Sequence, residues 1–500
     1  MAGDPFLSDP SKKRKRRQDN RSSTTKNIPN RSNRDQRKPR ESRDEEIEDE
    51  EISSETEDEN IMSDDNNEME SDEEFEGENA ADKRRRLAKQ YLENLRTEEL
   101  DEFDAKDLDN DNIGRRLQKD VAESKGHIYK LYGDKLSAQI EELKTKVTRI
   151  GCKNLTCLSI KYPYLYTVSK DMELIKWDIS DKIQRVKHTK GGAKYFNLNN
   201  NPQKNHHYDT ILCVAASGDG KYVVTGGKDG RLIIWSSESL TCLKVLEARS
   251  PINSITFRRN TDQLYAACED LKVRTYSINQ FSQLEILYGH QDNIVDISAL
   301  SRETCVSVGS RDKTALFWKI ADESRLTFRG GDKKDTKYGE GSLDCVSMVD
   351  ESHFVTGSDN GNVSLWSLAK KKPLYIDRLA HGLEPTLTVT EASGDLKSGE
   401  IEIPEPQPFW VTSIYAIPFT DIFVSGSYNG ELNFYKIDNE GFRSFKKIGS
   451  LPVNGVIVSI ECVEVDKTIK GFALVSKEHK LGRWLKVGGR NSLISFAFDI

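Results

Sequence analysis

Lysines and arginines are the residues of this 500-residue chain whose placement could do chemistry, and that chemistry is phosphate binding. A dense run, Lys12, Lys13, Arg14, Lys15, Arg16 and Arg17, is of the kind that import receptors and nucleic acids both hold through charge, and it is read as a nuclear localisation signal. Further on, Lys170, Lys228, Arg311, Lys313 and Lys477 fall in short polar turns. Arg258, Arg259, Lys272, Arg274, Arg325 and Arg329 follow nearby, and Arg85 and Lys89 sit in a segment with helical periodicity. Phosphate contact needs positive charge without strict spacing, and structured RNA is read largely through its backbone and shape. The clustering therefore carries the expectation of an RNA or partner surface, not any single residue.

Other chemistries lack their residues. The sequence holds no GxSxG, HExxH or Walker loop, and an enzyme needs such a constellation. Ser358, Asp359 and Asn360 spell a lactamase-like triplet, but they sit in a turn of a repeat. The eight cysteines, at 152, 157, 213, 242, 268, 305, 345 and 462, lie far apart in apolar runs and form no CxxC pair. They are read as buried reduced thiols of an intracellular protein, with no zinc site. No catalytic residue, metal, cofactor or small-molecule substrate is expected.

The elements that position the basic turns come from an internal repeat. Seven units recur, among them TVSKDMELIKWDI, VTGGKDGRLIIWSS, SVGSRDKTALFWKI and VTGSDNGNVSLWSL. In each, a turn residue precedes an aromatic by six: Asp171 and Trp177, Asp229 and Trp235, Asp270 and Tyr276, Asp312 and Trp318, Asn360 and Trp366, Asn429 and Tyr435, Glu478 and Trp484. Alternation between turn and aromatic puts every second side chain on one sheet face, which makes each unit a hairpin closed by its aromatic. An apolar strand precedes each hairpin (ILCVAAS, IVDISAL) and a short one follows (TCLKVLE, QLEILYG). Four strands per unit make a propeller blade, and blades must stack into a closed ring to bury both faces. The expected fold is thus all-β, a seven-bladed β-propeller over residues 140–500. The strand KVTRIG at 146–151 is placed to complete the last blade, with SLISFAFDI at 492–500 completing or flanking it.

Ahead of the ring the charge is segregated. Residues 11–40 hold thirteen Lys or Arg against two Asp, and residues 41–78 hold twenty-one Asp or Glu against Arg43. With so few apolar residues, 1–78 is expected to form a disordered basic-then-acidic tail. Its Ser54, Thr56 and Ser71 each have an acid three residues downstream, which suits an acid-directed kinase. Residues 79–139 are read as a helical extension: Asn79 can cap a helix whose Leu87, Ala88, Tyr91, Leu92 and Leu95 share one side, and Ile113, Leu117 and Val121 repeat the logic. Such stripes dock on a partner, on RNA or on the chain's own ring. No apolar run approaches the ~18 residues of a membrane helix, and the opening MAGDPFLSDP lacks a secretory pattern.

The repeat units are WD-repeat-like. Beyond them, SDEEFEGENAADKRRRLAKQYLENL (71–95), RRLQKDVAE (115–123), YGDKL (132–136), KGGAKY (190–195), LKVRTYSINQFSQLEILYGH (271–290), DESRLTFRGGD (322–332) and KEHKLGRW (477–484) resemble the WD-repeat proteins of the U3 small nucleolar ribonucleoprotein. That resemblance implies a nucleolar, non-catalytic subunit that acts as a monomer within a large particle. It implies U3 snoRNA, other U3 snoRNP proteins and small-subunit processome proteins as partners, with a role in pre-rRNA cleavage and 18S rRNA maturation. The rival is a generic nuclear WD40 scaffold, either a chromatin adaptor or a ubiquitin-ligase substrate receptor. The ligase version is weakened because Trp177 and Asp178 are followed by Ile179 and Ser180, with no arginine two residues on.

Overall fold

The computed structural model describes residues 128, 130–151, 154–180, 182–192, 205–330, 338–339, 341–388, 403–439, 441–465, 467–485 and 487–500. The basic run at 12–17, the acidic tract, and the helices expected around residues 79–96 and 113–121, with Arg85 and Lys89, lie outside them.

Within the described residues the chain forms seven four-stranded antiparallel sheets, six of them simple meanders in chain order. They span residues 155–190, 211–247, 252–288, 294–329, 343–377 and 413–452, and are numbered here as blades 1 to 6. The first strands of neighbouring blades touch in succession around a central channel, and Leu155–Lys161 of blade 1 meets Val456–Val465 of blade 7. The ring is closed, as the stacking argument requires.

Burial explains the sequence pattern from the inside out. In blade 2, Tyr222–Gly227 is buried after its first residue, whereas the outermost strand Cys242–Glu247 is largely exposed. The apolar clusters lie between blades rather than within them: Leu155, Leu165 and Trp177 of blade 1 pack with Phe472, Leu474 and Leu493 of blade 7. Close stacking also accounts for the glycine near the end of several second strands. A Cβ on Gly226, Gly357 or Gly426 would meet Ile252, Val411 or Ile457 of the next blade at 2.8, 2.6 and 2.5 Å, so only glycine lets those sheets approach.

Blade 7 is assembled from both ends of the ring. Its order is Lys146–Arg149, Ser492–Asp499, Thr468–Ser476, Val456–Val465. The N-terminal strand pairs antiparallel with the C-terminal one, Val147 opposite Ile494, so the expected closure by residues 146–151 holds, with 492–499 as the third strand.

The aromatic slot of blade 7 departs from expectation. In blades 1 to 6 the aromatic, Trp177, Trp235, Tyr276, Trp318, Trp366 or Tyr435, is buried near the end of the third strand. In blade 7 that place belongs to Phe496, fifth residue of Ser492–Asp499 and 2% exposed. Trp484 is instead 62% exposed on the connection at 477–491. Its six-residue spacing from Glu478 imitates the hairpin period, but no strand runs between the two residues.

Among the described residues one short α-helix, Gly133–Gln139, precedes the ring and runs on into a 3-10 turn at Ile140–Glu142. Its first-turn N–H groups need outside acceptors, and Asp421 of blade 6 accepts from the backbone N–H of Tyr132 and Gly133 at 2.8 and 3.0 Å. Leu136, fully buried, seats the helix on the blade 6 and blade 7 cluster.

Candidate functional site

In blades 2, 4 and 6 the turn residue of the hairpin is fixed from beneath by a network that sets the geometry of the turn-bearing face. In blade 2, Trp235 donates from Nε1 to Thr225 Oγ1 at 2.8 Å, and His207 bridges Thr225 (Nε2, 2.8 Å) to Asp229 (Nδ1, 3.0 Å). Blade 4 repeats this with Trp318, Ser307, His290 and Asp312. Blade 6 uses His381, Ser425 and Asn429. Burial works against the charge of Asp312, yet hydrogen bonds from His290 and the Thr314 N–H hold its carboxyl below the usual range. These histidines were missed in the sequence, although a signal was present: His207 to Asp229 and His290 to Asp312 are both separations of 22 residues.

Because successive strands run antiparallel, turns between second and third strands lie at one mouth of the channel and turns between first and second strands at the other. Lys170 and Lys228 reach the first mouth and line a cavity of about 460 Å³ with Lys480 and Arg483. Arg258 and Arg259 line the cavity of about 800 Å³ at the second mouth. The basic residues are therefore divided between the two mouths. Arg258 donates from Nε to Ser301 O at 2.9 Å, and Arg259 lies over the Phe419 ring.

At the first mouth the cations differ in exposure and in burial. Lys228, Arg311, Lys313 and Lys477 are exposed. Lys272 is half-buried beside Asp270 (3.6 Å) and over Tyr288. Arg274 is only 6% exposed and grips Asp270 with both guanidinium arms, at 2.9 and 2.6 Å, so it stands in a structural ion pair within blade 3. Lys170 is also committed: Nζ donates to the carbonyls of His479 (2.6 Å) and Gly482 (2.9 Å), with Glu478 at 3.7 Å. Burial pulls its ammonium pKa down. Arg325, in the outermost strand of blade 4, donates to the Tyr288 carbonyl, and Arg329, at the end of that strand, is exposed.

The connection at 477–491 replaces the short turn of other blades and folds across this mouth. Asn154 Nδ2 donates to Glu478 at 2.6 Å, and the Val487 N–H donates to Lys477 O at 3.1 Å. His479 is buried against Trp410, centroids 4.5 Å apart. Burial, followed by the charges of Lys480 and Lys170, pushes its imidazole down to about 3, so it stays neutral. Its Nδ1 accepts from the Leu481 N–H.

Among the described residues, no group of three or more His, Cys, Asp or Glu is placed to hold a metal ion. The described cysteines are free thiols, most of them buried, and burial pushes Cys268 up to about 11. No described helix is long and apolar enough to cross a membrane.

The WD domain, G-beta repeat, matches residues 200–236 and 281–319, which contain the Trp235 and Trp318 hairpins. The chain is 46% identical to Ribosomal RNA-processing protein 9 of Saccharomyces cerevisiae, over 90% of this chain and 95% of the relative. It is 35% identical to U3 small nucleolar RNA-interacting protein 2 of Homo sapiens, over 83% and 82% of the two chains. The structure described as "Structure of U3-55K" superposes with a TM-score of 0.60 at 32% identity, covering 70% of this chain and 98% of that one. Likeness of this extent runs well beyond the generic repeat, and the chain belongs to the family of U3 snoRNP-associated WD-repeat proteins that includes Ribosomal RNA-processing protein 9.

Proposed function

We propose that this chain is a non-catalytic subunit of the U3 small nucleolar ribonucleoprotein, binding U3 snoRNA and particle proteins in the nucleolus. There it serves the pre-rRNA cleavage that leads to 18S rRNA. The observation that carries this reading is the identity of 46% over 95% of a ribosomal RNA-processing protein, since a WD40 ring alone hosts many functions. A rigid closed ring supports a binding role, because its exposed turns are presented without being needed for stability.

Within this reading the exposed cations of one mouth, Lys228, Arg311, Lys313 and Lys477 with Lys272 beside them, contact phosphates. Lys170 and Arg274 act indirectly by fixing the turns. Arg258 and Arg259, at the other mouth, and Arg325 and Arg329, in an outermost strand, serve protein partners or a second stretch of RNA. Lys12 to Arg17 direct nuclear import, and Arg85 and Lys89 contact RNA or a particle protein. The test is complementation. Expressed in Saccharomyces cerevisiae depleted of Ribosomal RNA-processing protein 9, the chain is expected to restore 18S rRNA on northern blots. Uncleaved precursor persisting despite normal protein levels contradicts the proposal.

A further inference from the structure

We propose that the second mouth of the channel is occupied in the free protein by a segment of the chain itself, the acidic residues 98–111. They fold back over Lys161, Arg258 and Arg259 and must be displaced before another molecule can use those cations. The proposal is independent of the U3 reading, since it concerns what covers this face before any partner arrives.

The mouth carries more uncompensated positive charge than its residue types suggest. Its cavity of about 800 Å³ is lined by Lys130, Lys161, Arg258 and Arg259, and by the acids Asp296, Glu461 and Glu464. Each acid is already engaged or neutral. Asp296 accepts from Ser254 Oγ at 2.7 Å and from the Val346 N–H at 3.0 Å. Glu464 is paired with Lys130. Burial pushes the Glu461 carboxyl up to about 8, which leaves it largely protonated at neutral pH. Lys161, by contrast, is exposed, and Arg259 lies over the Phe419 ring; among the described residues neither is paired with a carboxylate. Arg258 has Glu303 at 4.0 Å, with its Nε on the Ser301 carbonyl.

The path of the chain names the occupant. Lys130 forms a parallel bridge with Thr420, and its N–H donates to the Phe419 carbonyl at 3.1 Å. The backbone therefore enters the ring beside the residue on which Arg259 rests. Residue 111 stands 17 positions before Ile128, which is buried in the cluster of blades 5 and 6. A chain of that length reaches up to about 55 Å, so the segment can lie on the mouth without strain. It holds eight Asp or Glu against Lys106, with Leu100, Phe103 and Leu108 between them. Its flanks are basic: residues 83–96 have six Lys or Arg against Glu93, and residues 112–127 have four against two acids. Charge complementarity thus selects 98–111 and rejects both neighbours. Tethering makes the docking intramolecular, with an effective concentration on the order of millimolar, so even modest ion pairing competes with an untethered ligand.

The experiment uses the full-length chain. Carbodiimide joins a carboxylate to a lysine amine held against it, and peptide mass spectrometry of the monomer is expected to find Lys161 coupled to an acid of 98–111. Arg258→Ala with Arg259→Ala should cut that yield about fivefold, equivalent to about 1 kcal/mol, whereas Arg258→Lys with Arg259→Lys should keep it. A labelled peptide of residues 97–112 should bind about tenfold more tightly to a chain whose eight acids are replaced by the matching amides than to the parent, because it no longer competes with a tethered copy. These amides lie outside the described ring, so a folding defect does not blur the result. Coupling at other exposed lysines without Lys161 would overturn the proposal. So would coupling found solely between isotopically heavy and light copies, or a peptide that binds both chains alike. An RNA strand that binds the parent and the amide variant equally well, and loses affinity when Arg259 is replaced by alanine, would show the mouth open to RNA and contradict the proposal.

Discussion

Replacing Trp235 by alanine should cost far more than the same change at Trp484, although both residues lie six positions beyond a turn residue. Trp235 is 2% exposed, packed between blades 1 and 2, and its Nε1 donates to Thr225. Truncating a buried aromatic of this size removes about 3–5 kcal/mol. The hydroxyl left behind keeps its His207 contact, so no orphaned polar group adds to the loss. Trp235→Phe retains most of the apolar surface and forfeits one hydrogen bond, about 1 kcal/mol, plus a small void. Trp484→Ala removes a surface side chain and should stay within about 0.5 kcal/mol. Guanidinium unfolding of the full chain, followed by far-ultraviolet circular dichroism, gives the three midpoints. The expected order is parent and Trp484→Ala together, then Trp235→Phe, then Trp235→Ala well below. Equal losses at Trp235 and Trp484 would refute the blade register described here.

Three further outcomes follow from the same contacts. Asp270→Asn leaves the buried Arg274 guanidinium without its carboxylate and should destabilise the ring by about 2–3 kcal/mol, while recovery of U3 snoRNA from extract falls no further than the loss of folded protein; a selective loss of RNA would make Arg274 a contact after all. Removing residues 1–149 strips the edge strand from Ser492–Asp499 and exposes a row of unpaired backbone groups, so size-exclusion chromatography should show aggregates where the intact chain runs as a single species. Burial depresses His381 to about 4, from an ordinary 6.5. The unfolded chain therefore takes up a proton that the folded one refuses, and stability should fall as pH drops from about 6.5 toward 4. His381→Asn should reduce the slope of that part of the urea-midpoint profile, leaving the share contributed by His479, and a profile parallel to the parent's contradicts the assignment.

The parts of the fold legible in the sequence were those set by strand geometry. A second strand, a tight turn and a third strand ending in a large aromatic have a fixed length, so six blades could be read from turn and aromatic alone. The same rule misplaced Trp484, because spacing carries no information on whether the intervening residues form a strand. Ile494, Phe496 and Phe498, large and apolar at every second position, were the better guide, and they lie on the true third strand of blade 7, Ser492–Asp499. Closure by residues 146–149 was readable because the last blade would otherwise lack its outermost strand. At the candidate site, sequence identified which cations sit near turns but not what each already holds. Arg274 and Lys170 look as available as Lys228 in a linear string, yet Asp270, His479 and Gly482 occupy them. The Lys170 commitment depends on a loop from the other end of the ring, whereas Asp270 lies only four positions before Arg274 and pairs with it because the turn brings the two side chains together.

The proposed function requires the chain to hold U3 snoRNA inside the nucleolus. Ultraviolet crosslinking in living cells, followed by denaturing purification of the tagged chain and sequencing of the attached RNA, tests this most directly. Dominant recovery of U3 snoRNA is the result the account predicts, with crosslinked peptides from the connection at 477–491 and the turns bearing Lys228 and Arg311. Histones recovered without U3 snoRNA, or crosslinks spread evenly over abundant RNAs, would contradict it.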